Sequence, residues 1–341
     1  MKNTQSICIA GKNKIAIKAL YFLIKNYNKN IFFLPNVSDT GKDTWQPSFK
    51  KFAESAGVRL ISESEIYENE NLIFISLEYE KIINVNKFRS KHLFNIHFSL
   101  LPKYKGMYTS TIPILKGEKY TGVTLHKIDS GIDTGNIISQ IKFKIKKNWN
   151  AQDLYERYLF YGYQIFKKNI KNIIKKKIKS LQQPIWNSSY FSKSYIDFKN
   201  INIDFNKTAF EIHNQFRGFT FRPFQMPSFA KCKIYKSKIL RSRSRYKPGK
   251  IVYQNKKYFR VSSIDYDIIL YKDHYPKFWN YLKKGNLKNL KKISKYIENL
   301  DEKNEYGKKA YEIAKDNNQL NLYKSLIIFK KKFLFLDKKT K

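Results

Sequence analysis

Phe94-Asn95-Ile96-His97-Phe98-Ser99-Leu100-Leu101-Pro102, followed downstream by Asp129-Ser130-Gly131-Ile132-Asp133-Thr134-Gly135, decides how the 341-residue chain is read. Phe94, Ile96 and Phe98 alternate with Asn95 and His97, the two-residue period of a strand with one apolar face. Asn95 and His97 therefore project from the same face at the strand's end. Four apolar runs come before it, at Ser6 to Ala10, Ile31 to Leu34, Val58 to Ile61 and Leu72 to Ser76. Helical segments lie at Ala16 to Asn26 and near Pro47 to Ala56. Strands separated by helices predict an α/β fold with a mainly parallel sheet, in which reactive groups gather at the carboxyl ends of the strands.

Downstream, Gly122 to Ile128 and Ile137 to Ile145 read as two further strands, and Ala151 to Ile174 as a long helix covering the sheet. Residues 1–180 are thus expected to form a Rossmann-like catalytic domain. Gly11-Lys12-Asn13 in its first turn lacks the repeated glycines of a dinucleotide fingerprint, which argues against NAD. After Ser180 the helical period stops, and segments near Ile201, Phe229 and Ile251 alternate as short strands, predicting a small β subdomain over 181–270. Over 276–335, Leu287, Leu290 and Ile293 recur 33 residues later as Leu320, Tyr323 and Leu326. A 33-residue period of helix pairs resembles the ankyrin repeat, although Lys308-Lys309-Ala310-Tyr311 stands where Thr-Pro-Leu-His is usual. So few repeats cannot bury their own faces, so the stripe Phe278, Trp279, Leu282, Leu287 and Leu290 is expected to dock on the β subdomain.

The net charge of +40 suggests nucleic acid or an anionic surface, but the 67 basic residues include only nine arginines. Arginine is the preferred reader of phosphate and base edges, so a lysine coat argues against a dedicated nucleic-acid binder. A small anionic substrate gains from the same field. Cys8 and Cys232 stand far apart, which suggests neither a disulfide framework nor a zinc site. The first apolar run is too short for a signal peptide, and no run of about 18 apolar residues is present to span a membrane. The expected location is the cytoplasm.

His97 can accept or pass a proton near neutral pH, and the Asn95 amide can hydrogen-bond a developing oxyanion. Asp133, between Gly131 and Gly135, can orient the imidazole or relay its proton. His126, on an adjacent predicted strand, is read as structural, since a lone strand histidine more often is. Asp129 and Asp133 lack the further oxygen ligands of a metal loop, so no metal is expected. Lys103 and Lys105 with Gly106 read equally as a phosphate contact or a solvated turn.

The motif Asn95-x-His97-x-Ser99-Leu100-Leu101-Pro102 with the later Asp129-x-Gly131-x-Asp133-x-Gly135 resembles the folate-dependent formyltransferase family. The resemblance implies catalytic Asn95, His97 and Asp133 and N10-formyltetrahydrofolate as formyl donor. Transfer to an amine then needs a general base and an oxyanion donor. Phe98 departs from the proline usual in the purine and tRNA branches. Together with Met107-Tyr108-Thr109, Asp43-Thr44-Trp45-Gln46-Pro47-Ser48, Ile203 to Thr208 and Ile212 to Pro223, it is similar to the branch that formylates nucleotide-linked amino sugars.

That branch implies a dTDP-linked 3- or 4-amino-dideoxyhexose destined for O-antigen or other surface polysaccharide, sometimes a C-terminal ankyrin-like extension, and a homodimer. Trp45, Lys103, Tyr104, Met107, Tyr108, Thr109, Arg217 and Arg222 are expected to meet the sugar nucleotide, the arginines at its diphosphate. Leu77, Tyr79, Ile83, Leu125, Lys127 and Ile128 are expected to line the folate slot. Methionyl-tRNA formylation is the alternative, against which Phe98 and the C-terminal segment speak. A non-catalytic binding protein on the same scaffold is the other, disfavoured by the intact Asn95, His97 and Asp133.

Overall fold

Ser6-Ile7-Cys8-Ile9-Ala10-Gly11 is apolar enough to be covered on both faces, and the strand it forms is buried along its whole length in the middle of a sheet. The computed structural model describes residues 5–27 and 30–339, with side chains through 330. The chain divides into two units, Met1–Lys199 and Asn200–Lys341.

The first unit contains β1 (Ser6–Gly11), α1 (Asn13–Asn26), β2 (Asn30–Pro35), α2 (Phe49–Ser55), β3 (Arg59–Leu60), α3 (Glu63–Glu68), β4 (Leu72–Leu77) and β5 (His92–His97). It continues through β6 (Lys105–Gly106), α4 (Ile112–Leu115), β7 (Tyr120–Lys127), β8 (Ile137–Lys144), α5 (Ala151–Ile174) and β9 (Tyr190–Phe191). The main sheet runs in the order β3-β2-β1-β4-β5-β7-β8. Its first five strands pair in parallel, and β7 and β8 then return antiparallel.

On one face the apolar stripe of α1 (Ile15, Ala19, Leu20, Leu23) meets that of α5 (Leu154, Tyr158, Ile165, Phe166) over Ile9, Ile75, Phe94 and Val123. Each fully buried side chain of this size contributes about 1.5–3 kcal/mol. The other face is closed by Ile66 of α3, Phe88 and Leu72 around Cys8 and Phe74. The helix starts are marked in sequence: Asn150 with Asp153 and Ser62 with Glu65 form reciprocal caps. Where a domain end was expected near 180, the chain stays with the first unit. Leu181 bridges back to Ile137, and β9 pairs with β6, up to Lys199.

The second unit forms no strand near Ile201, where one was expected, and its first α-helix is α6 (Ala209–Phe219). Thr208 Oγ1 accepts from Glu211 N, and the Glu211 carboxylate accepts from Thr208 N, which fixes the start of the helix. β10 (Ser228–Phe229), β11 (Cys232–Arg243), β12 (Ile251–Gln254), β13 (Tyr258–Val261) and β14 (Tyr266–Lys272) form a sheet in the order β10-β11-β14-β13-β12. Ile212 and Phe216 of α6 pack on its Ile234, Val261, Ile268 and Leu270.

Two helix pairs follow, α7 (Tyr275–Lys283) with α8 (Leu287–Ser294) and α9 (Ala310–Asp316) with α10 (Leu320–Lys339). Phe278, Trp279, Leu282 and Leu290 share a core with Ile313, Ala314 and Leu326, and Tyr235 of β11 packs against it. Leu287, assigned to the same stripe, is instead 37% exposed at the first residue of α8. Side chains beyond 330 in the 276–335 segment lie outside the described residues. No helix among the described residues is long and apolar enough to cross a membrane.

Candidate active site

β5 ends in the alternation that the sequence announces, and Asn95 sits directly opposite His126 of the antiparallel β7. Directly opposed residues share a face of the sheet, so an amide and an imidazole meet there. A register shift between Leu125 and His126 against β8 marks a bulge at this point, a device that re-aims side chains beside active sites. The Asn95 amide nitrogen lies 3.2 Å from Asp133 Oδ1 and 3.1 Å from His126 Nε2. His126 Nδ1 faces the Lys127 carbonyl at 2.7 Å, so the ring spans the gap between that carbonyl and the Asn95 amide.

Asp133 stands at the centre. His97 Nδ1 and His126 Nε2 each lie 3.4 Å from one of its oxygens, and Gly106 N–H donates to Oδ2 at 2.9 Å. Burial works to raise the Asp133 pKa, but the two imidazoles and the Gly106 N–H outweigh it and hold the carboxyl well below the usual range. Asp133 remains a carboxylate at any working pH. Its backbone is left-handed, with φ of 55°, as are Tyr104 and Tyr108 at 59° each, conformations that concentrate at functional sites.

Two glycines make the loops possible. A Cβ on Gly135 would lie 1.9 Å from the Lys127 carbonyl, and one on Gly106 would lie 2.4 Å from the Phe191 carbonyl. Only glycine fits either approach. The loop that carries Gly106 also sets the Tyr104 carbonyl 2.7 Å from His97 Nε2.

Asn95, His97 and Asp133 thus come together as the sequence predicts, and His126, read as structural, joins them. Lys103, Tyr104, Met107, Tyr108 and Thr109 all lie on the adjoining loop, where Met107 is 45% exposed. Tyr104 is tied by its hydroxyl to Glu118 at 2.7 Å and Tyr108 to the Lys193 carbonyl at 2.7 Å. Trp45 packs on Tyr155, 5.5 Å between ring centroids. Tyr155 in turn donates to Glu78, whose carboxyl burial pushes up to about 7 against bonds from Tyr155 and Asn13.

Of the residues expected at the folate, Tyr79, Ile83 and Ile128 are half-buried together on the cluster around Cys8 and Phe74, and Lys127 is exposed. Leu77 and Leu125 are wholly buried in the core against the α1 and α5 face. Central strands are covered on both sides, so these two side chains are spent on packing rather than on a slot. In the second unit, Arg222 is committed to Asp273 at 2.6 Å and to Glu302 at 3.4 Å, which answers its charge internally rather than at a diphosphate. Arg217 donates to Asn214 at 2.6 Å, and burial pushes its guanidinium down to about 10.

A histidine between a fixed carboxylate and a backbone carbonyl, with an oriented amide beside it, has the parts that proton transfer needs. The Formyl transferase model matches residues 59–170, and the Formyl transferase C-terminal domain model matches 196–295. The N-formyltransferase from Helicobacter canadensis, solved with folinic acid and dTDP-3-aminofucose, is 46% identical with a TM-score of 0.75, covering 79% of this chain and 100% of that one. WlaRD, a sugar 3N-formyl transferase solved with dTDP and 5-N-formyl-THF, is 48% identical with a TM-score of 0.75, covering 80% and 98%. Among curated relatives, the bifunctional polymyxin resistance protein ArnA of Wigglesworthia glossinidia brevipalpis is 35% identical over 235 residues, 65% of this chain, which spans only 34% of that protein's length. The chain belongs to the formyl transferase family.

Proposed function

We propose that the chain is a folate-dependent sugar N-formyltransferase that moves the formyl group of N10-formyltetrahydrofolate onto the amine of a dTDP-linked amino-dideoxyhexose. The observation that carries it is the convergence of His97, Asn95 and His126 on the buried Asp133 carboxylate. The 3-amino isomer is favoured over the 4-amino one because the relatives at 46% and 48% identity are described with dTDP-3-aminofucose and as a 3N-transferase.

As the acceptor nitrogen bonds to the formyl carbon, the proton it loses goes to His97 Nε2, which exchanges the Tyr104 carbonyl for the amine while Nδ1–H donates to Asp133, and the imidazolium is stabilised by that ionised carboxylate. The formyl oxygen gains charge and takes an N–H of Asn95. The hydrogen that faces His126 Nε2 is the one to give up, because the bond to Asp133 is charge-assisted and stronger. When the carbon–nitrogen bond to the folate breaks, His97 returns its proton to the leaving nitrogen. Tyr79, Ile83 and Ile128, with Lys127 at their edge, supply the partly apolar surface a pterin needs. Trp45, Lys103, Tyr104, Met107, Tyr108 and Thr109 form the acceptor side.

Residues 1–199 carry catalysis in this reading, and the β-sheet of the second unit contributes a homodimer interface. The C-terminal helix pairs are ankyrin-like, supported by α8 and α10 starting at Leu287 and Leu320, the 33-residue spacing of the sequence repeat. The product feeds surface polysaccharide, and the protein works in the cytoplasm without nucleic acid.

The test is to incubate the chain and 10-formyltetrahydrofolate separately with dTDP-3-aminofucose, its 4-amino isomer and methionyl-tRNA, following the products by mass spectrometry. Formylation of the 3-amino sugar alone is expected. Formylation of the tRNA would replace this reading.

A further inference from the structure

The two catalytic loops are held by a segment that belongs to neither motif. Leu181 and Ile137 exchange backbone hydrogen bonds of 2.8 Å each, which lays the chain after α5 along the start of β8. Two residues on, Gln183 is 8% exposed and donates from Nε2 to the Asp133 carbonyl at 2.9 Å and to the Gly135 carbonyl at 2.8 Å. Both amide hydrogens are used on one turn, the turn whose left-handed residue is Asp133. A residue with a Cβ keeps that conformation only where its surroundings over-determine it.

The same segment holds the other loop. Ser189 Oγ accepts from Tyr104 N and the Ser189 carbonyl from Lys105 N, both at 2.8 Å, and the Phe191 carbonyl accepts from Met107 N at 2.8 Å. That loop brings the Tyr104 carbonyl to His97 and Gly106 N–H to Asp133. Gln183 Oε1, by contrast, is buried without a hydrogen bond. A side chain needed only to fill this space would be apolar, since an unsatisfied buried oxygen is costly. The donors are what the position requires.

We propose that Gln183 is a positioning residue for the transfer step, acting through Asp133 to set the carboxylate on which His97, His126, Asn95 and Gly106 converge. This rests on the formyl-transfer reading above. Gln183→Met removes the donors at similar length, and Gln183→Glu points carboxylate oxygens at two carbonyls. Both variants lose about 10- to 100-fold in kcat, the scale of small misplacements of catalytic groups, with KM for sugar and folate changed less than about twofold. In Gln183→Glu the ratio of variant to wild-type kcat rises as pH falls, because the protonated carboxyl regains one donor.

Imidazole 1H–15N spectra provide a readout apart from turnover: the His97 and His126 signals move in the variants, and those of His92, His213 and His274 stay. Wild-type kcat in both variants overturns the proposal, as does a loss of kcat with the His97 and His126 signals unmoved. If either variant does not fold by circular dichroism, Gln183→Asn, which keeps the amide one methylene shorter, carries the same measurements. A wild-type protein that formylates no amine sinks the functional reading instead, and the spectra still decide whether Gln183 sets the cluster.

Discussion

Asp133 at the sheet edge and Asp273 in the second unit have side chains 11% and 2% exposed, and both face cationic or ionisable partners, but they are satisfied in different ways. Asp273 meets one guanidinium at 2.6 Å, and that guanidinium lies over the rings of Trp279 and Tyr275 at 4.9 and 5.5 Å. An arginine cannot release its proton in a protein, so the pair is a permanent bond. Asp133 is shared among two imidazoles at 3.4 Å, an amide and a backbone N–H, several of which can change their proton or partner. A buried carboxylate fully matched to a fixed cation builds structure, whereas one divided among exchangeable donors is available for chemistry.

The largest effect that tests this contrast is on turnover. His97→Asn removes the proton acceptor but leaves a polar side chain of similar placement, so kcat falls by about 10² to 10⁴ while the circular dichroism spectrum is unchanged. A variant that keeps more than a tenth of the wild-type rate would show that Asp133 serves some purpose other than supporting His97, and the contrast would lose its catalytic half.

The opposite pattern is expected at Asp273. Arg222→Met leaves that carboxylate buried and without its cation, a change that costs about 3–5 kcal/mol of stability in the second unit. Turnover per folded molecule moves less than about twofold. Adding Asp273→Leu recovers most of the loss, since a buried pair replaced as a whole is often neutral. If thermal denaturation shows Arg222→Met as stable as wild type and KM for the sugar nucleotide rises instead, Arg222 faces substrate and its pairing is not structural.

The parts of this picture that were readable from sequence are the local ones. Asn95 and His97 follow from a two-residue period, Asp133 from its bracketing glycines, and α5 from an apolar stripe that runs the full 24 residues of the helix. His126 was not readable, because its place beside Asn95 depends on which strand pairs antiparallel with β5 and on a bulge one residue away. Gln183 acts across 50 residues and Tyr155 reaches Glu78 across 77, contacts with no periodicity to reveal them. Leu77 and Leu125 were misjudged because an apolar residue at a strand's end looks the same whether a ligand or a helix covers it. α6 is a different case: Thr208 and Glu211 are three apart, a capping signature that marks the helix start in the sequence itself.

Glu78 is the intermediate case, and it gives the smallest and most discriminating effect. Among the described residues no arginine or lysine is bonded to it; the Tyr155 hydroxyl at 2.8 and 2.9 Å and the Asn13 amide at 3.4 Å are, and burial pushes its carboxyl from the ordinary 4.5 up to about 7 against these bonds and the more distant charge of Lys12. Between these values the folded state holds a proton that the unfolded chain has released. Stability from this group therefore falls as pH rises from about 4.5 to 7, by at most about 3 kcal/mol. Glu78→Gln keeps the shape and an acceptor for Tyr155 but cannot ionise, so it should melt close to wild type at pH 5 and above it at pH 8, the gap widening through pH 6 to 7. Calorimetry of both proteins at three pH values measures this directly. A gap that stays constant with pH would mean that Glu78 is charged throughout, held by Tyr155 and Asn13 as firmly as Asp273 is held by Arg222. Neutral hydroxyl and amide donors would then be able to fix a buried carboxylate as well as a guanidinium does, and the distinction drawn between Asp133 and Asp273 would rest on which partners can exchange protons rather than on charge matching.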